Sequence, residues 1–396
     1  MVPPPALRRR MQAEAAAAAK ARTPNREAQQ GRWGLQGRAA LTAFGLALAC
    51  LCCSVHYWLF WVRGAGLVDE PPGPAAALLL GKADAAIRKA YNYTLALEHL
   101  RLALELEPRN AGVVQFYASV LLALGHVADA RVHLRDVFRS GVAAARDPHL
   151  LQQYVLTLHR LGARAELDEA WPSIAQTPGL GWRSPLQCPD RVDASLLEGA
   201  EPFPALEGLR VPEILARNSE AILADFAALR ETKVGLRGFK PNQDNDLVSG
   251  NNASRWTEML LFNKGSWEER NCQAFPTACR VLRGLPEVEG IVHGKRSGQV
   301  SLLKLEAGTV LVPHFGSVNW RYTGHLGLMV PPDVVMHAGN ESREFKLGEV
   351  LVLDDSFLHS VEHKGQGPRI TLFVNFFHPK MKALSHEEWL RRESVA

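Results

Sequence analysis

The spacing of apolar residues divides the chain into three parts. Residues 39–62 are an unbroken run of 24 positions without Asp, Glu, Lys or Arg. From Ala83 to about Trp171, apolar residues recur with the spacing of amphipathic helices. Beyond Val300 the period falls to two within short runs, which predicts β-strands. We therefore expect an apolar span, a helical region and a β domain, in that order.

The apolar run is long enough to cross a membrane. At about 1.5 Å per residue, a helix over residues 39–62 spans a hydrocarbon layer of about 30 Å. A cleaved signal peptide and a buried helix are the alternatives, but the apolar core of a signal peptide is shorter, about 7–15 residues. Residues 1–38 carry eight basic and two acidic side chains, which predicts a basic cytosolic tail and a lumenal remainder. We expect a single-pass type II protein of the endoplasmic reticulum or Golgi membrane.

Two segments follow the predicted transmembrane helix. Residues 63–82 are rich in Gly, Pro and Ala and are predicted to be a linker. The helical region, residues 83–175, contains the string ALELEPRN at 103–110, which is typical of a tetratricopeptide unit, and a weaker copy follows at a period near 37–40 residues. A plain helical hairpin fits the imperfect period nearly as well. In both cases we interpret the region as a spacer or as a platform for a protein partner.

Residues 180–396 are predicted to form the β domain. An amphipathic helix is expected at Val211–Leu229. Five short runs rich in β-formers are bounded by Gly, Pro or Asp: Val300–Leu305, Thr309–Val312, Leu326–Val330, Val350–Leu353 and Ile370–Phe376. Short strands without long helices between them predict an antiparallel jelly roll. The expected fold class is a mainly β domain preceded by a transmembrane helix and an all-α region.

Composition narrows the classes of function. The 396 residues are 47% hydrophobic and 22% charged, as in ordinary globular proteins, and the net charge is +4. Because the basic tail accounts for this excess, we expect no nucleic-acid partner. Three of the six cysteines lie in the apolar run. In an oxidising lumen Cys272 and Cys279 could close a short loop, leaving Cys188 outside any disulfide, and a zinc site has little support without a CxxC pair.

Three histidines fall at the ends of predicted strands: His314, His325 and His359. Two neutral imidazoles that face each other across the mouth of a β sandwich can bind Fe(II) and leave positions open for a co-substrate and O₂. The carboxylate that usually completes such a site would stand two residues after the first histidine, at Gly316. A lone strand-end histidine is also an ordinary surface or core residue, so the histidines alone do not decide the function.

Arg369 strengthens the metal-site hypothesis. It begins the last strand, ten residues after His359. A guanidinium buried in such a barrel needs an anionic partner, and its planar fork fits the distal carboxylate of 2-oxoglutarate. The alternative for Arg369 is an ion pair at the rim of the domain. Together with the histidines, it indicates an oxygenase that uses Fe(II), 2-oxoglutarate and O₂.

These residues stand in motifs that resemble the aspartyl/asparaginyl β-hydroxylases, iron(II)- and 2-oxoglutarate-dependent oxygenases of the endoplasmic reticulum. The resemblance covers about residues 180–380. Its motifs are Trp182-Arg-Ser-Pro-Leu-Gln187, Pro313-His-Phe-Gly316, His325-Leu-Gly-Leu328, Asp354-Asp-Ser-Phe-Leu-His359, Arg369 and His378-Pro379. The anchor and the helical repeats in front of the domain resemble the arrangement of the membrane-bound members.

The resemblance implies a role for each candidate site residue. His314 and His359 would be the metal ligands, with water in place of the carboxylate. Trp256, His325 and Arg369 would surround 2-oxoglutarate, with Arg369 on its C5 carboxylate, whereas without the resemblance Trp256 is simply a core aromatic residue. Two further pairs are implied: a disulfide between Cys272 and Cys279, and an Asp354–Asp355 turn that presents His359.

Three positions depart from the family pattern. Thr323 stands where the family has an arginine, Leu303 where it has a polar side chain near the co-substrate, and Asn375 where it has an aspartate. The expected reaction is hydroxylation of the β-carbon of Asp or Asn in a lumenal or secreted protein, such as an EGF-like domain. The alternatives are the same chemistry on a lipid acyl chain, and a catalytically inactive adaptor whose helical repeats bind a partner. The sequons at Asn92, Asn252 and Asn340 are compatible with a lumenal glycoprotein.

Overall fold

A computed structural model describes residues 72–90, 92–141, 146–231, 238–242, 244, 247–249, 254–296 and 298–393. The chain divides into two compact units, Met1–Thr157 and Leu158–Ala396. The predicted basic tail, residues 1–38, and the predicted transmembrane helix, residues 39–62, lie outside the described residues. Within the described ranges, no helix is both long enough and apolar enough to cross a membrane.

Six helices open the described part of the chain: α1 (Pro74–Ala90), α2 (Tyr93–Leu106), α3 (Ala111–Ala123), α4 (Val127–Ser140), α5 (Pro148–Arg160) and α6 (Arg164–Ala175). The first four and most of α5 lie in the first unit, while the last turn of α5 and all of α6 belong to the second. Asparagine side chains cap two of them, since Asn92 accepts from Leu95 N–H and Asn110 accepts from Val113 N–H. The helical region is confirmed, and its assignment as tetratricopeptide repeats stays a prediction.

The predicted linker is wrong in its second half. Helix α1 begins at Pro74, so residues 74–82 are helical and not a flexible connection. Proline is well suited to the first helical position, and the Ala- and Leu-rich sequence after it favours helix. Leu79 and Leu80 are buried, with 4% of each side chain exposed, which shows that this helix packs against its neighbours.

The second unit continues with helices and thirteen short strands. Its helices are α7 (Arg210–Arg217), α8 (Ser219–Glu231), α9 (Glu269–Ala274), α10 (Pro276–Leu282), α11 (Pro286–Glu289) and α12 (His386–Glu393). The strands are β1 (Lys240–Pro241), β2 (Trp256–Asn263), β3 (Ser266–Trp267), β4 (Ile291–Val292), β5 (Lys295–Arg296), β6 (Gln299–Leu305), β7 (Val310–His314), β8 (Arg321–Met329), β9 (Val334–Ala338), β10 (Glu341–Glu344), β11 (Val350–Leu353), β12 (His359–His363) and β13 (Arg369–Phe377).

Eleven of the described strands form two antiparallel sheets that pack face to face, and β4 pairs with β5 in a separate two-stranded sheet. The larger sheet has the order β1-β2-β6-β13-β8-β11, with β3 paired to β2, and the smaller has the order β10-β9-β12-β7. One buried cluster joins the two sheets, because it contains residues of the larger sheet such as Leu305 and Leu353 and residues of the smaller sheet such as Met336 and Val361. We call the side of the larger sheet that carries Leu305 its inner face. The outer face, with Leu302 and Leu372, packs on helices α7 to α10.

The jelly-roll architecture predicted from the sequence is thus present, with changes in detail. The predicted helix Val211–Leu229 is two helices that meet at Asn218. The five predicted strands are all present within a few residues, and the described part of the chain has eight more: β1, β2, β3, β4, β5, β9, β10 and β12. The second unit begins at Leu158, before the predicted domain boundary at residue 180.

A disulfide links Cys272 of α9 to Cys279 of α10, with a Cα–Cα distance of 5.7 Å, as the family resemblance implied. Cys188 is buried and forms no disulfide with a described residue. The bridge therefore fixes two short helices that pack on the outer face of the larger sheet.

Candidate active site

Two histidines meet where the edge strand β7 pairs with β12. His314 is the last residue of β7 and His359 the first of β12, and the two lie directly opposite each other in the ladder. Their ring centroids are 4.0 Å apart. The structure therefore brings together the two side chains predicted as metal ligands at one end of the smaller sheet.

Hydrogen bonds set the tautomer of both rings. Nδ1 of His314 lies 2.8 Å from the carbonyl oxygen of Val312, and Nδ1 of His359 lies 2.8 Å from that of Phe357. Because a carbonyl only accepts, each Nδ1–H donates, and the lone pair of a neutral ring lies on Nε2. This orientation of a histidine by a backbone carbonyl is common among metal ligands.

The surroundings of the two histidines favour the neutral rings. Burial lowers the pKa of His314 well below its ordinary value, and the neighbouring His359 and Arg160 add to this effect. Burial also lowers the pKa of His359, although Asp355 opposes the shift. Two neutral imidazoles, each with the lone pair of Nε2 free to bind a metal, suit a borderline divalent ion such as Fe(II).

Packing closes the position of the usual third ligand. A Cβ at Gly316 would lie 2.6 Å from Cγ of Asp355, closer than real Cβ atoms approach. The N–H of Gly316 donates to the carbonyl of Asp355 at 2.6 Å, so the two segments are in direct contact. The Oδ2 atom of Asp355 accepts from Arg321, while its Oδ1 atom is buried without a hydrogen-bond partner.

The turn before His359 is held by Asp354. Its Oδ1 atom accepts from the backbone N–H of Ser356 at 3.1 Å and from the Ser356 hydroxyl at 2.6 Å. Burial is the main cause that raises the pKa of Asp354 to about 8, and the nearby Asp355 adds to it. The carboxyl group therefore carries a proton at neutral pH and acts as a structural group of the turn.

Arg369 is a buried cation. Only 1% of its surface is exposed, and its Nε atom has no hydrogen-bond partner among the described residues. Its guanidinium lies over the Phe345 ring at 4.7 Å from the centroid. Burial lowers its pKa to about 10, so it stays charged at neutral pH. A charge in such a place costs much free energy unless an anion pairs with it, so Arg369 is suited to hold an anionic ligand.

Trp256 and His325 stand beside this cation on the inner face. Leu305 pairs with Trp256 on one side and with Arg369 on the other, so the three side chains form one cross-strand row. The indole Nε1 of Trp256 is buried and has no hydrogen-bond partner in the described part of the chain. His325 is also buried, and its Nδ1 lies 3.4 Å from the Thr371 hydroxyl. Burial lowers the pKa of His325 strongly, and Arg369 and His359 add to this shift. Electrostatic interactions thus link His325 to both the cation and the metal-ligand pair.

The three departures from the family pattern also lie in the larger sheet. Thr323 pairs with Asn375 on one side and with Leu353 on the other, and it shares a face with His325, two residues along β8. The Thr323 hydroxyl is buried without a hydrogen-bond partner. Leu303 is buried opposite Thr371. At these positions the barrel is therefore lined by neutral side chains.

Two contributors to the site were not among the site residues predicted from the sequence. Arg321 pairs with Asp355 through an Nη2–Oδ2 contact of 3.0 Å, and Arg160 donates from Nε to the carbonyl of Pro313 at 2.9 Å. Arg160 is 153 residues from Pro313 in the chain, so no local pattern could indicate their contact. Arg321 could have been found from its spacing to His325 on the same strand.

The donor set fits Fe(II) and 2-oxoglutarate. The two Nε2 atoms would hold the metal, and the orphaned guanidinium of Arg369 would bind the far carboxylate of the co-substrate. Among the described residues there is no cluster of three or more His, Cys, Asp or Glu that could hold a metal.

A β sandwich with a pair of histidines at its mouth and a buried cation inside has the architecture of an iron oxygenase of the hydroxylase class. Comparison with known proteins agrees with this class. Residues 216–379 match the family model of the aspartyl/asparaginyl β-hydroxylases, which covers every candidate ligand and co-substrate residue named above. The resemblance inferred from the motifs is confirmed for this segment.

Individual proteins show the same similarity. The chain is 31% identical over 168 residues to the human aspartyl/asparaginyl β-hydroxylase, covering 42% of this chain and 21% of that protein. It is 33% identical over 176 residues to the human aspartate β-hydroxylase domain-containing protein 1, covering 43% of this chain and 42% of that protein. The chain thus matches less than half the length of these relatives.

Among solved structures, a prolyl hydroxylase from Trichoplax adhaerens, in complex with a peptide fragment of hypoxia-inducible factor, aligns with 47% of this chain and 93% of its own. The sequence identity is 13% and the TM-score is 0.27.

Proposed function

We propose that the protein is an Fe(II)- and 2-oxoglutarate-dependent oxygenase that hydroxylates the β-carbon of Asp or Asn side chains in other proteins. The observation that carries this proposal is the combination of two facing histidines with a fully buried, unpartnered arginine inside one β sandwich. A structural role for Arg369 would need a carboxylate beside it, and the described residues supply none.

Different side chains would bind the metal and the co-substrate. His314 and His359 would hold the metal through Nε2, because their Nδ1 atoms already donate to carbonyls. Arg369 would bind the C5 carboxylate of 2-oxoglutarate, and the apolar walls around it would exclude water. When bound, the iron would supply the chemistry that uses O₂ to convert 2-oxoglutarate to succinate and CO₂ and places one oxygen atom in a C–H bond of the substrate.

The polypeptide substrate is supported by the family match over residues 216–379. Hydroxylation of a lipid acyl chain is the second candidate. It is favoured by Thr323, which places a neutral side chain where the family has a cation. An inactive adaptor is the third candidate, and it is opposed by the joint presence of both histidines and Arg369 in working positions.

We also propose that the protein is a single-pass type II membrane protein with its oxygenase domain in the lumen of the endoplasmic reticulum or Golgi. The support is the apolar run at 39–62 and the basic excess before it. The disulfide between Cys272 and Cys279 is consistent with an oxidising compartment. Protease protection in sealed microsomes tests this arrangement, since a cytosolic domain would be digested without detergent.

The test of activity is mass spectrometry of peptides incubated with the full chain, Fe(II), 2-oxoglutarate and ascorbate. EGF-like domains with Asp or Asn, in folded and unfolded forms, and lipid vesicles are the three substrate sets. A gain of one oxygen atom in a peptide, absent with His359→Ala, supports the proposal. Oxygen gained only by the lipid supports the second candidate.

His337→Ala is a matched control for His359→Ala. His337 lies in β9 of the same sheet, where it pairs with Ser360, the neighbour of His359, and contacts the Ser342 hydroxyl at 2.7 Å. It should retain turnover. Equal loss in both variants would show that the sheet, rather than the metal ligand, was damaged.

A further inference from the structure

The last turn of α5 reaches the chain segments that carry both candidate metal ligands. Arg160, the final residue of α5, donates from Nε to the carbonyl of Pro313, which directly precedes His314. His159, next to it, lies with Nε2 2.8 Å from the carbonyl of Pro185. Both contacts lie within the second unit, which begins at Leu158.

The hydrogen bond from Arg160 supports a stretch of backbone that the sheet holds only in part. Strand β7 is the edge of the smaller sheet, and its ladder with β12 is interrupted between the His359–His314 pair and the Val361–Leu311 pair. Val312 and Pro313 fall in this interruption, and proline has no N–H to donate. The ladder therefore holds His314 from one side only, and the Arg160 guanidinium takes the neighbouring carbonyl.

The second route runs through the segment 184–187. His159 contacts the carbonyl of Pro185, and the next residue, Leu186, accepts from the N–H of Leu358, which precedes His359. Gln187 donates from its side chain to the hydroxyl of Ser356 in the same turn. The helix end is thus connected to the turn before His359 by two successive hydrogen bonds, and to the residue before His314 by one.

We propose that Arg160 is a positioning residue for the metal ligand His314, and that the turn His159–Arg160 holds the two ligand segments in register. The proposal rests on the proposed function, because it assumes that His314 and His359 bind a metal. An arginine suits this task, since its rigid fork keeps a donor at a fixed distance from a carbonyl. The match to the β-hydroxylase family begins only at residue 216, so His159 and Arg160 lie outside the matched segment.

The test is the Mn(II) affinity of the full chain, measured from the electron paramagnetic resonance signal of free Mn(II). Arg160→Met keeps the aliphatic stem but removes the donor, and it should weaken Mn(II) binding about tenfold, the lower end of effects seen for residues that orient metal ligands. Arg160→Lys keeps the charge and should recover part of the loss. His159→Ala should weaken binding less, because its route is indirect.

Arg164→Met is the matched control, because Arg164 opens the next helix with its side chain 90% exposed. It should bind Mn(II) like the wild type. Circular dichroism and the melting temperature of the metal-free protein show whether each variant is folded, and Arg160→Gln replaces Arg160→Met if the latter does not fold. Wild-type affinity in a folded Arg160→Met or Arg160→Gln variant would overturn the proposal.

His314→Ala and His359→Ala separate this inference from the proposed function. If both abolish Mn(II) binding while Arg160→Met leaves it unchanged, the positioning role is wrong and the metal site stands. If the wild type shows no Mn(II) binding that depends on His314, the metal site is wrong and the positioning role falls with it.

Discussion

At the scale of single residues, Arg369 is a buried charge whose burial opposes its ionisation. It is 1% exposed, and its described contact is the face of the Phe345 ring rather than an anion. A buried charge without a counter-ion destabilises the fold, and natural proteins keep such a charge mainly for function. The cost is offset when a carboxylate binds.

Replacing Arg369 with methionine should therefore separate stability from binding. Arg369→Met should melt at a higher temperature than the wild type in the absence of ligand, and it should bind 2-oxoglutarate at least tenfold more weakly, since a charge-assisted hydrogen bond contributes about 1.5–3 kcal/mol. Calorimetric titration of the Mn(II)-loaded protein measures the second effect. Arg343→Met is the control, because Arg343 also lies over a phenylalanine ring, at 4.6 Å, but on the surface. Unchanged affinity in Arg369→Met would remove it from the co-substrate site.

Gly316 is a position at which the packing leaves no room for a Cβ atom. Its Cβ would collide with Cγ and the backbone oxygen of Asp355, at 2.6 and 2.7 Å. Gly316→Ala should destabilise the protein by about 1–3 kcal/mol, as overpacking in a rigid place does, and should weaken Mn(II) binding because His314 is two residues away. Gly324→Ala is the control, since its Cβ would meet Phe376 at an ordinary 3.4 Å. Denaturant titration of both variants measures the difference, and equal stabilities would contradict the packing argument.

At the scale of elements, the turn that presents His359 makes stability depend on pH. The pKa of Asp354 is raised to about 8, above its ordinary value of 3.8, so the folded state holds a proton that the unfolded state releases. The stabilisation is present below the ordinary pKa and is lost as pH rises towards 8, by at most about 1.4 kcal/mol per pH unit for one proton. Asp354→Asn should remove this contribution to the decline in the free energy of unfolding between pH 4 and 8. Parallel declines in the wild type and the variant, measured by urea titration, would show that Asp354 does not titrate as described.

The disulfide between α9 and α10 should stabilise the domain through its short loop. Its cysteines are 7 positions apart. Closing a loop of this size lowers the conformational entropy of the unfolded chain and so raises the free energy of unfolding by about 2–3 kcal/mol. The double variant Cys272→Ser and Cys279→Ser should lose this amount in chemical unfolding. It should keep its Mn(II) affinity, because the bridge lies on the outer face of the larger sheet. A loss of metal binding without a loss of fold would contradict this placement.

The elements that the sequence predicted share one property. Runs such as Val350–Leu353 are short, apolar and bounded by turn residues, which is the pattern of a buried strand. Strand β2 was missed because its inner and outer faces are both buried, and Glu258 and Thr257 interrupt its apolar pattern. Strand β12 was missed because it reads His-Ser-Val-Glu-His, and only its place between β9 and β7 makes it a strand.

The whole molecule consists of two units, and the second begins earlier in the chain than the oxygenase domain predicted from the sequence. The predicted oxygenase domain begins at residue 180, whereas the second unit begins at Leu158 and includes the contacts of His159 and Arg160. Long-range hydrogen bonds leave no periodic signal in a sequence, so composition alone could not move the boundary. His314, His359 and Arg369 could be predicted because strand ends and motif spacing mark them.

The charge distribution also belongs to this scale. The net charge of +4 arises in residues 1–38, so the remainder of the chain is slightly acidic. A strongly acidic polypeptide would gain no general electrostatic attraction to such a surface.

The central claim is that the domain uses iron and 2-oxoglutarate, and succinate formation measures it most directly. The full chain is supplied with Fe(II), ascorbate and 2-oxoglutarate, with and without candidate peptides, and succinate is quantified for the wild type, His359→Ala and His337→Ala. We predict succinate from the wild type and from His337→Ala, and none above background from His359→Ala. Succinate at the same rate from His359→Ala, or none from a folded wild type that binds Mn(II) and is offered every candidate substrate, would contradict the account.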